Sequence, residues 1–193
     1  MRPVVHCALL LALTAAAAAA GSLTIVLEFQ GPYSERSAGE MKREFEAVMK
    51  DSGLIFDWKT RAEATGLAFE DLVLVRFKGK CMLGSVAYVY DERGPLASTF
   101  ESEGDVQPFS EVDCDRVGVT VRSAMFRRDY ARGDLLFGRA LGRVVAHELI
   151  HVLAKSNAHG RDGVAKAAFS GKMLISSELW IDPEDLERIR PAQ

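Results

Sequence analysis

The stretch Asp134-Leu135-Leu136-Phe137-Gly138-Arg139-Ala140-Leu141-Gly142-Arg143-Val144-Val145-Ala146-His147-Glu148-Leu149-Ile150-His151-Val152-Leu153-Ala154-Lys155 decides how this chain is read. Leu135, Leu136, Leu141, Val144, Val145, Leu149, Ile150, Val152 and Leu153 cover most of the circumference of a helix. A helix apolar nearly all round is a buried one. Gly138 and Gly142 weaken it by about 1 kcal/mol each relative to Ala, and their four-residue spacing suits close packing against a second backbone. Near its end stand His147-Glu148-Leu149-Ile150-His151. A four-residue step turns about 400°, so the two imidazoles lie about 40° apart in azimuth and about 6 Å apart along the axis. Both can point at one ion held about 2 Å from each nitrogen. Glu148 then stands where its carboxylate reaches a water beside the ion and not the ion itself. Two imidazoles and a carboxylate on a buried helix are costly without a metal.

A catalytic zinc keeps three protein ligands and one open position. The expected third ligand is His159. On a continued helix it would lie about 12 Å beyond His151, so the helix must end between Lys155 and Ala158 and the chain must fold back. Ser156 and Asn157 suit that break, because Asn tolerates the left-handed conformation that ends helices. Gly160 adds freedom beside the ligand. Glu178 and Asp162 are the alternative donors, each otherwise a solvated surface carboxylate. Three of the four histidines fall between positions 147 and 159, and the fourth, His6, lies in the leading segment.

Upstream, Leu23 to Phe29 reads as a strand, rich in β-branched and apolar residues. Ser37-Ala38-Gly39-Glu40 has the spacing of a capping box. Met41, Phe45, Val48 and Met49 then recur at helical period, so an amphipathic helix is predicted, closing near Gly53. Leu54 to Lys59, Asp71 to Phe77, Ser85 to Tyr90 and Val117 to Val121 are strand candidates. In the second of these Val73, Val75 and Phe77 alternate with Leu72, Leu74 and Arg76, the period of a sheet. Asp91 to Asp113 is polar and contains Gly94, Pro95, Gly104 and Pro108, so a long loop or a ragged hairpin is expected. Downstream, Asp182 and Pro183 cap and open a short final helix.

Composition narrows the class. The chain has 193 residues, 48% hydrophobic and 26% charged, enough apolar material for one core. Its formal net charge is −3 and no block of basic residues occurs, so nucleic acid is not an expected partner. Arg2, the uncharged apolar run Val4 to Ala20 and its terminal alanines have the layout of a secretory signal peptide. Cleavage after Ala20 is expected, leaving residues 21–193 as a secreted or periplasmic domain with no stable membrane anchor. Cys81 and Cys114 then remain, and export favours a disulfide between them over two free thiols.

His147-Glu148-Leu149-Ile150-His151 followed by a third His on a return loop resembles the zincin peptidases, and within them the metzincins. The order strand, helix, several strands, active-site helix is also similar, over roughly residues 23 to 159. The resemblance implies an α+β fold: a mixed twisted sheet of about five strands, a backing helix, a buried active-site helix and a small C-terminal lobe. The upper lobe would span 21–158 and the lower 159–193. It implies Zn2+ on His147, His151 and His159, Glu148 as catalytic base, and a protein or peptide substrate. The sequence departs from the metzincin pattern in three places. Ala154 stands where the family has Gly, the family's third ligand would fall at Asn157, and the methionine of the family's turn below the metal has only Met173 as its candidate. The expected function is a secreted zinc-dependent endopeptidase. The alternative is a non-catalytic, zinc-stabilised secreted binding protein of zincin fold.

Overall fold

The computed structural model describes residues 21–84 and 94–190. Strand β1 (Gly21–Phe29) is buried at every position from Leu23 to Leu27, as a strand covered on both faces must be. It lies between two parallel neighbours, β2 (Leu54–Thr60) and β3 (Leu72–Lys78). Strand β5 (Asp105–Asp113) is parallel to β3, and β4 (Ala97–Ser102) is antiparallel to β5. Among the described residues the result is a five-stranded mixed sheet in the order β2-β1-β3-β5-β4, within an α+β fold, with β4 at one edge. The alternation expected in β3 holds: Val73, Val75 and Phe77 are buried, while Arg76 on the far face pairs with Glu28 and Glu111.

Helix α1 (Glu35–Met49) buries Met41, Phe45, Val48 and Met49, the face read from their spacing. Its cap is Ser34, which accepts from the Ser37 amide, and not Ser37 itself. Ser37 lies inside the first turn, fully buried, and donates to the Asp134 carbonyl. The chain therefore starts the helix one turn earlier than the capping-box spacing implies. After β2 comes the short helix α2 (Arg61–Ala64).

Of the polar stretch expected at 91–113, the described residues 94–113 carry the β4–β5 hairpin, turning at Glu103 and Gly104, both with positive φ. Its register shifts between Thr99 and Glu101, opposite Pro108, which has no N–H to give to the ladder. The strand expected at Ser85–Tyr90 lies outside the described residues. The strand expected at Val117–Val121 is instead part of helix α3 (Cys114–Ala124). Val117, Val119 and Val121 alternate like a strand, but Asp113 caps the Arg116 amide and sets helical period. Only Val117 and Val121, one turn apart, are fully buried. Cys114, the first residue of α3, is joined to Cys81 by a disulfide, as expected. Such a bond belongs to an oxidising, non-cytoplasmic setting.

Helix α4 (Gly133–Ala154) crosses the molecule and is buried over most of its length. Its glycines meet the backbone of α1: a Cβ on Gly138 would fall 2.5 Å from the Ser37 carbonyl oxygen, and one on Gly142 would fall 2.6 Å from that of Met41. The close packing read from the spacing is thus present. A single apolar core runs from β1, β3 and β5 through α1, α3 and α4 to Val164, Leu174 and Ile189 of the C-terminal segment. That segment carries a short 3-10 turn (Gly163–Ala165), α5 (Gly171–Ile175) and α6 (Pro183–Ile189), the last capped by Asp182 with Pro183 at its first position as read. Among the described residues no helix is long and apolar enough to cross a membrane.

Candidate metal centre

The site forms where α4 stops. Lys155 takes the left-handed conformation, φ 47°, and closes the helix by donating to the His151 and Val152 carbonyls. The break comes one residue before Ser156 and Asn157, where composition placed it. A Lys in this conformation is uncommon, since a side chain there crowds its own carbonyl. The chain then doubles back. Gly160 donates to the Ala165 carbonyl at 2.8 Å, and a Cβ on Gly160 would collide with the Asp185 carboxylate, so only glycine lets α6 approach this closely. Arg188 of α6 pairs with Asp185 at 2.8 Å and reaches the Ala158 carbonyl. The return loop is therefore pinned on both sides of His159.

The consequence is that His147, His151 and His159 converge. One ring nitrogen from each lies within 4.8 Å of the others, and no further His, Cys, Asp or Glu joins them among the described residues. His147 and His151 are buried, while His159 is exposed at the mouth. Glu178 and Asp162 do not join the cluster. Glu178 is exposed, and Asp162 is spent capping the Gly163 amide.

The tautomers follow from the backbone. His147 donates its Nδ1–H to the Val164 carbonyl, and His151 donates its own to the Ser156 carbonyl, each at 2.8 Å. Each Nε2 is then an unprotonated lone pair. These two atoms face each other at 3.1 Å. Two buried acceptors at that distance repel unless something positive lies between them. Two nitrogens on one tetrahedral metal would sit about 3.3 Å apart at ordinary zinc–nitrogen lengths, so a metal ion fits the pair. Burial first, and the other two imidazoles as well, hold His147 down to about 4 from an ordinary 6.5, despite the opposing bond to Val164. His151 is shifted in the same direction, again chiefly by burial. Neutral imidazoles at neutral pH are the form that ligates.

Glu148 lies next to the cluster, 5% exposed. Burial pushes its carboxyl up to about 7, against the lowering effect of a hydrogen bond from Thr99. The Thr99 hydroxyl reaches Glu148 Oε2 at 2.7 Å from strand β4. The cluster opens on a cavity of about 580 Å³ between β4, α4 and residues 167–169. Apart from Glu148 and the three histidines, its lining is uncharged, with Leu96, Thr120, Val144 and Phe169 among the side chains. The Phe169 ring meets that of His147 edge-on, centroids 5.4 Å apart. Met173 lies in α5, where its carbonyl accepts from Arg143.

Thr99, Phe169 and the carbonyls of Ser156 and Val164 were not legible from the chain alone. Thr99 sat in a stretch read as loop or hairpin, where only its β-branch hinted at a strand. Backbone acceptors carry no residue-type signal. No protein-family model matches the chain, and no curated protein matches it.

Proposed function

We propose that this chain is a zinc-dependent endopeptidase acting outside the cytoplasm. The observation that carries the reading is the pair of Nε2 lone pairs facing each other at 3.1 Å, with a third imidazole and a buried carboxylate beside them. His147, His151 and His159 would hold the zinc. When bound, the ion would supply Lewis acidity, polarising a scissile carbonyl and acidifying a water molecule. Three protein ligands leave room for both, whereas structural zinc sites favour four, commonly with cysteines. Cys81 and Cys114 are tied to each other, and neither joins the histidine cluster.

Glu148 would take the proton from the attacking water and return it to the leaving amine. A carboxyl held near 7 in the metal-free chain is suited to both tasks at neutral pH. Among the described residues strand β4 lines the cavity and ends the sheet, and an extended peptide would have its backbone edge to lie along.

The test is purified protein with zinc analysed by mass spectrometry and assayed on an unfolded protein substrate, with and without chelator. Glu148→Ala is expected to keep its zinc and its fold and to lose turnover. Equal cleavage by that variant would overturn the role of Glu148. A zinc-loaded parent with no hydrolytic activity would leave the non-catalytic zinc protein as the better description.

A further inference from the structure

Glu148 is anchored from outside its own helix by an arrangement its motif does not contain. Thr99 on β4 sits directly opposite Ser110 on β5 in the antiparallel ladder. Their hydroxyl oxygens are 2.8 Å apart, an ordinary cross-strand pair. The third contact is what distinguishes it. Thr99 Oγ1 also lies 2.7 Å from Glu148 Oε2 and 3.2 Å from the Glu148 carbonyl oxygen.

Hydrogen counting settles the direction of the chain of bonds. Thr99 has one hydroxyl hydrogen, and Glu148 in its ionised form, the form that acts as a base, can only accept. The shorter, charge-assisted contact takes that hydrogen, leaving the carbonyl at 3.2 Å as a secondary acceptor. Ser110 is 1% exposed, and a hydroxyl so buried must spend its own hydrogen on a partner. Thr99 Oγ1 still has a lone pair free, so Ser110 donates to it. The order is Ser110 to Thr99 to Glu148, each bond polarising the next.

This relay fixes one carboxylate oxygen of Glu148 and leaves Oε1 as the atom available for proton transfer. It also ties the edge strand that lines the cavity to the carboxylate on α4. Resting on the zinc-peptidase reading above, we propose that Thr99, supported by Ser110, is the positioning residue for the general base. Thr99 touches no reacting atom. Its effect is to hold the base in one rotamer against a water whose position the metal site fixes.

The experiment compares parent, Thr99→Val, Thr99→Ser, Ser110→Ala and Glu148→Gln, all loaded with zinc. Valine keeps the shape of threonine and removes the hydroxyl. Loss of a hydrogen-bonding partner one shell out from a metal site typically costs about 10–100-fold in activity. Thr99→Val is expected to lose kcat within that range, with KM and zinc content unchanged. Thr99→Ser restores the hydroxyl and is expected within about threefold of the parent, with Ser110→Ala between it and Thr99→Val. A crystal structure of zinc-loaded Thr99→Val is expected to show the Glu148 carboxylate rotated from its parental position. The same rotamer in parent and Thr99→Val, or equal losses in Thr99→Val and Thr99→Ser, would overturn the role of Thr99. If Glu148→Gln is as active as the parent, the peptidase mechanism itself fails. If Glu148→Gln is inactive and Thr99→Val is fully active, only the role of Thr99 fails.

Discussion

Arg143 lies one turn before His147 on α4, and its side chain is fully buried. Nε and Nη2 engage Glu44 of α1 at 2.7 and 2.6 Å. Nη1 donates to the Met173 carbonyl and to the Ser176 hydroxyl at 2.8 Å, and Nη2 also reaches the Ser176 carbonyl at 3.0 Å. One side chain thus fastens α1 and α5 to the helix that carries His147 and His151. Arg143→Met keeps the apolar stem and removes the fork. Breaking a buried ion pair by deleting one member costs about 3–5 kcal/mol. Two features here argue for the lower end. Glu44 keeps Arg139 at 3.5 Å, and the Ser176 carbonyl keeps a bond from Arg139 at 2.9 Å. The expected loss is therefore about 3 kcal/mol, or about 6–12 °C in Tm for a domain of this size. Urea unfolding followed by circular dichroism measures it. Arg161→Ala is the control: its pair with Glu184 is 89% and 76% exposed, and removing it should produce no measurable change. An Arg143→Met loss below about 1 kcal/mol would show that the clamp contributes nothing beyond its desolvation cost.

Reducing the Cys81–Cys114 bond opens a loop with a sequence separation of 33, which should cost about 3–4 kcal/mol and slow turnover, because β4 and Thr99 lie within that loop. Thermal melts with and without reductant give the number, and coincident melts would contradict it. His159→Ala should lower zinc retention strongly while leaving the metal-free fold intact, and unchanged zinc content would move the third ligand elsewhere. In metal-free protein, His147 is depressed to about 4, so its contribution is present above 6.5 and is lost as pH falls through about 4. Glu148 is raised to about 7, so its contribution is present below 4.5 and is lost as pH rises through about 7. These two nearly cancel between pH 4.5 and 6.5. His151, also lowered, tips the balance towards loss of stability on acidification. Urea midpoints from about pH 7 down to about pH 5 should fall, and fall more steeply in Glu148→Gln, whereas midpoints that rise on acidification would reverse the assignment.

The parts that carry a strong period were legible in the chain. The all-round apolar run gave α4 within a residue at each end, and the alternation of Val73, Val75 and Phe77 with Leu72, Leu74 and Arg76 gave β3, though not which face turns inward. That α4 packs closely against a second backbone could be read from two glycines four apart, but not that this backbone is α1. What failed were short apolar runs and ends. Val117-Gly118-Val119-Thr120-Val121 satisfies a strand period and a helix period together, and the deciding group, the Asp113 cap, lies outside it. Ser34 and Ser37 are both acceptable caps, and tertiary burial of Ser37 against Asp134 chooses between them. At the candidate metal centre the converging histidines were legible, because spacing on a helix dictates where imidazoles point. Their orienting partners were not, because the Val164 and Ser156 carbonyls depend on the path of the backbone. Thr99 was hidden for the same reason: β4 meets α4 only once the sheet is assembled.

The central claim is that three imidazoles hold one ion and leave a corner free beside Glu148. X-ray absorption at the zinc edge of the purified, zinc-loaded protein tests it directly. Three imidazole nitrogens at about 2.0 Å, one light oxygen scatterer and no sulfur are expected. Fewer than three imidazoles, a sulfur shell, or a fourth protein donor closing the site would contradict it.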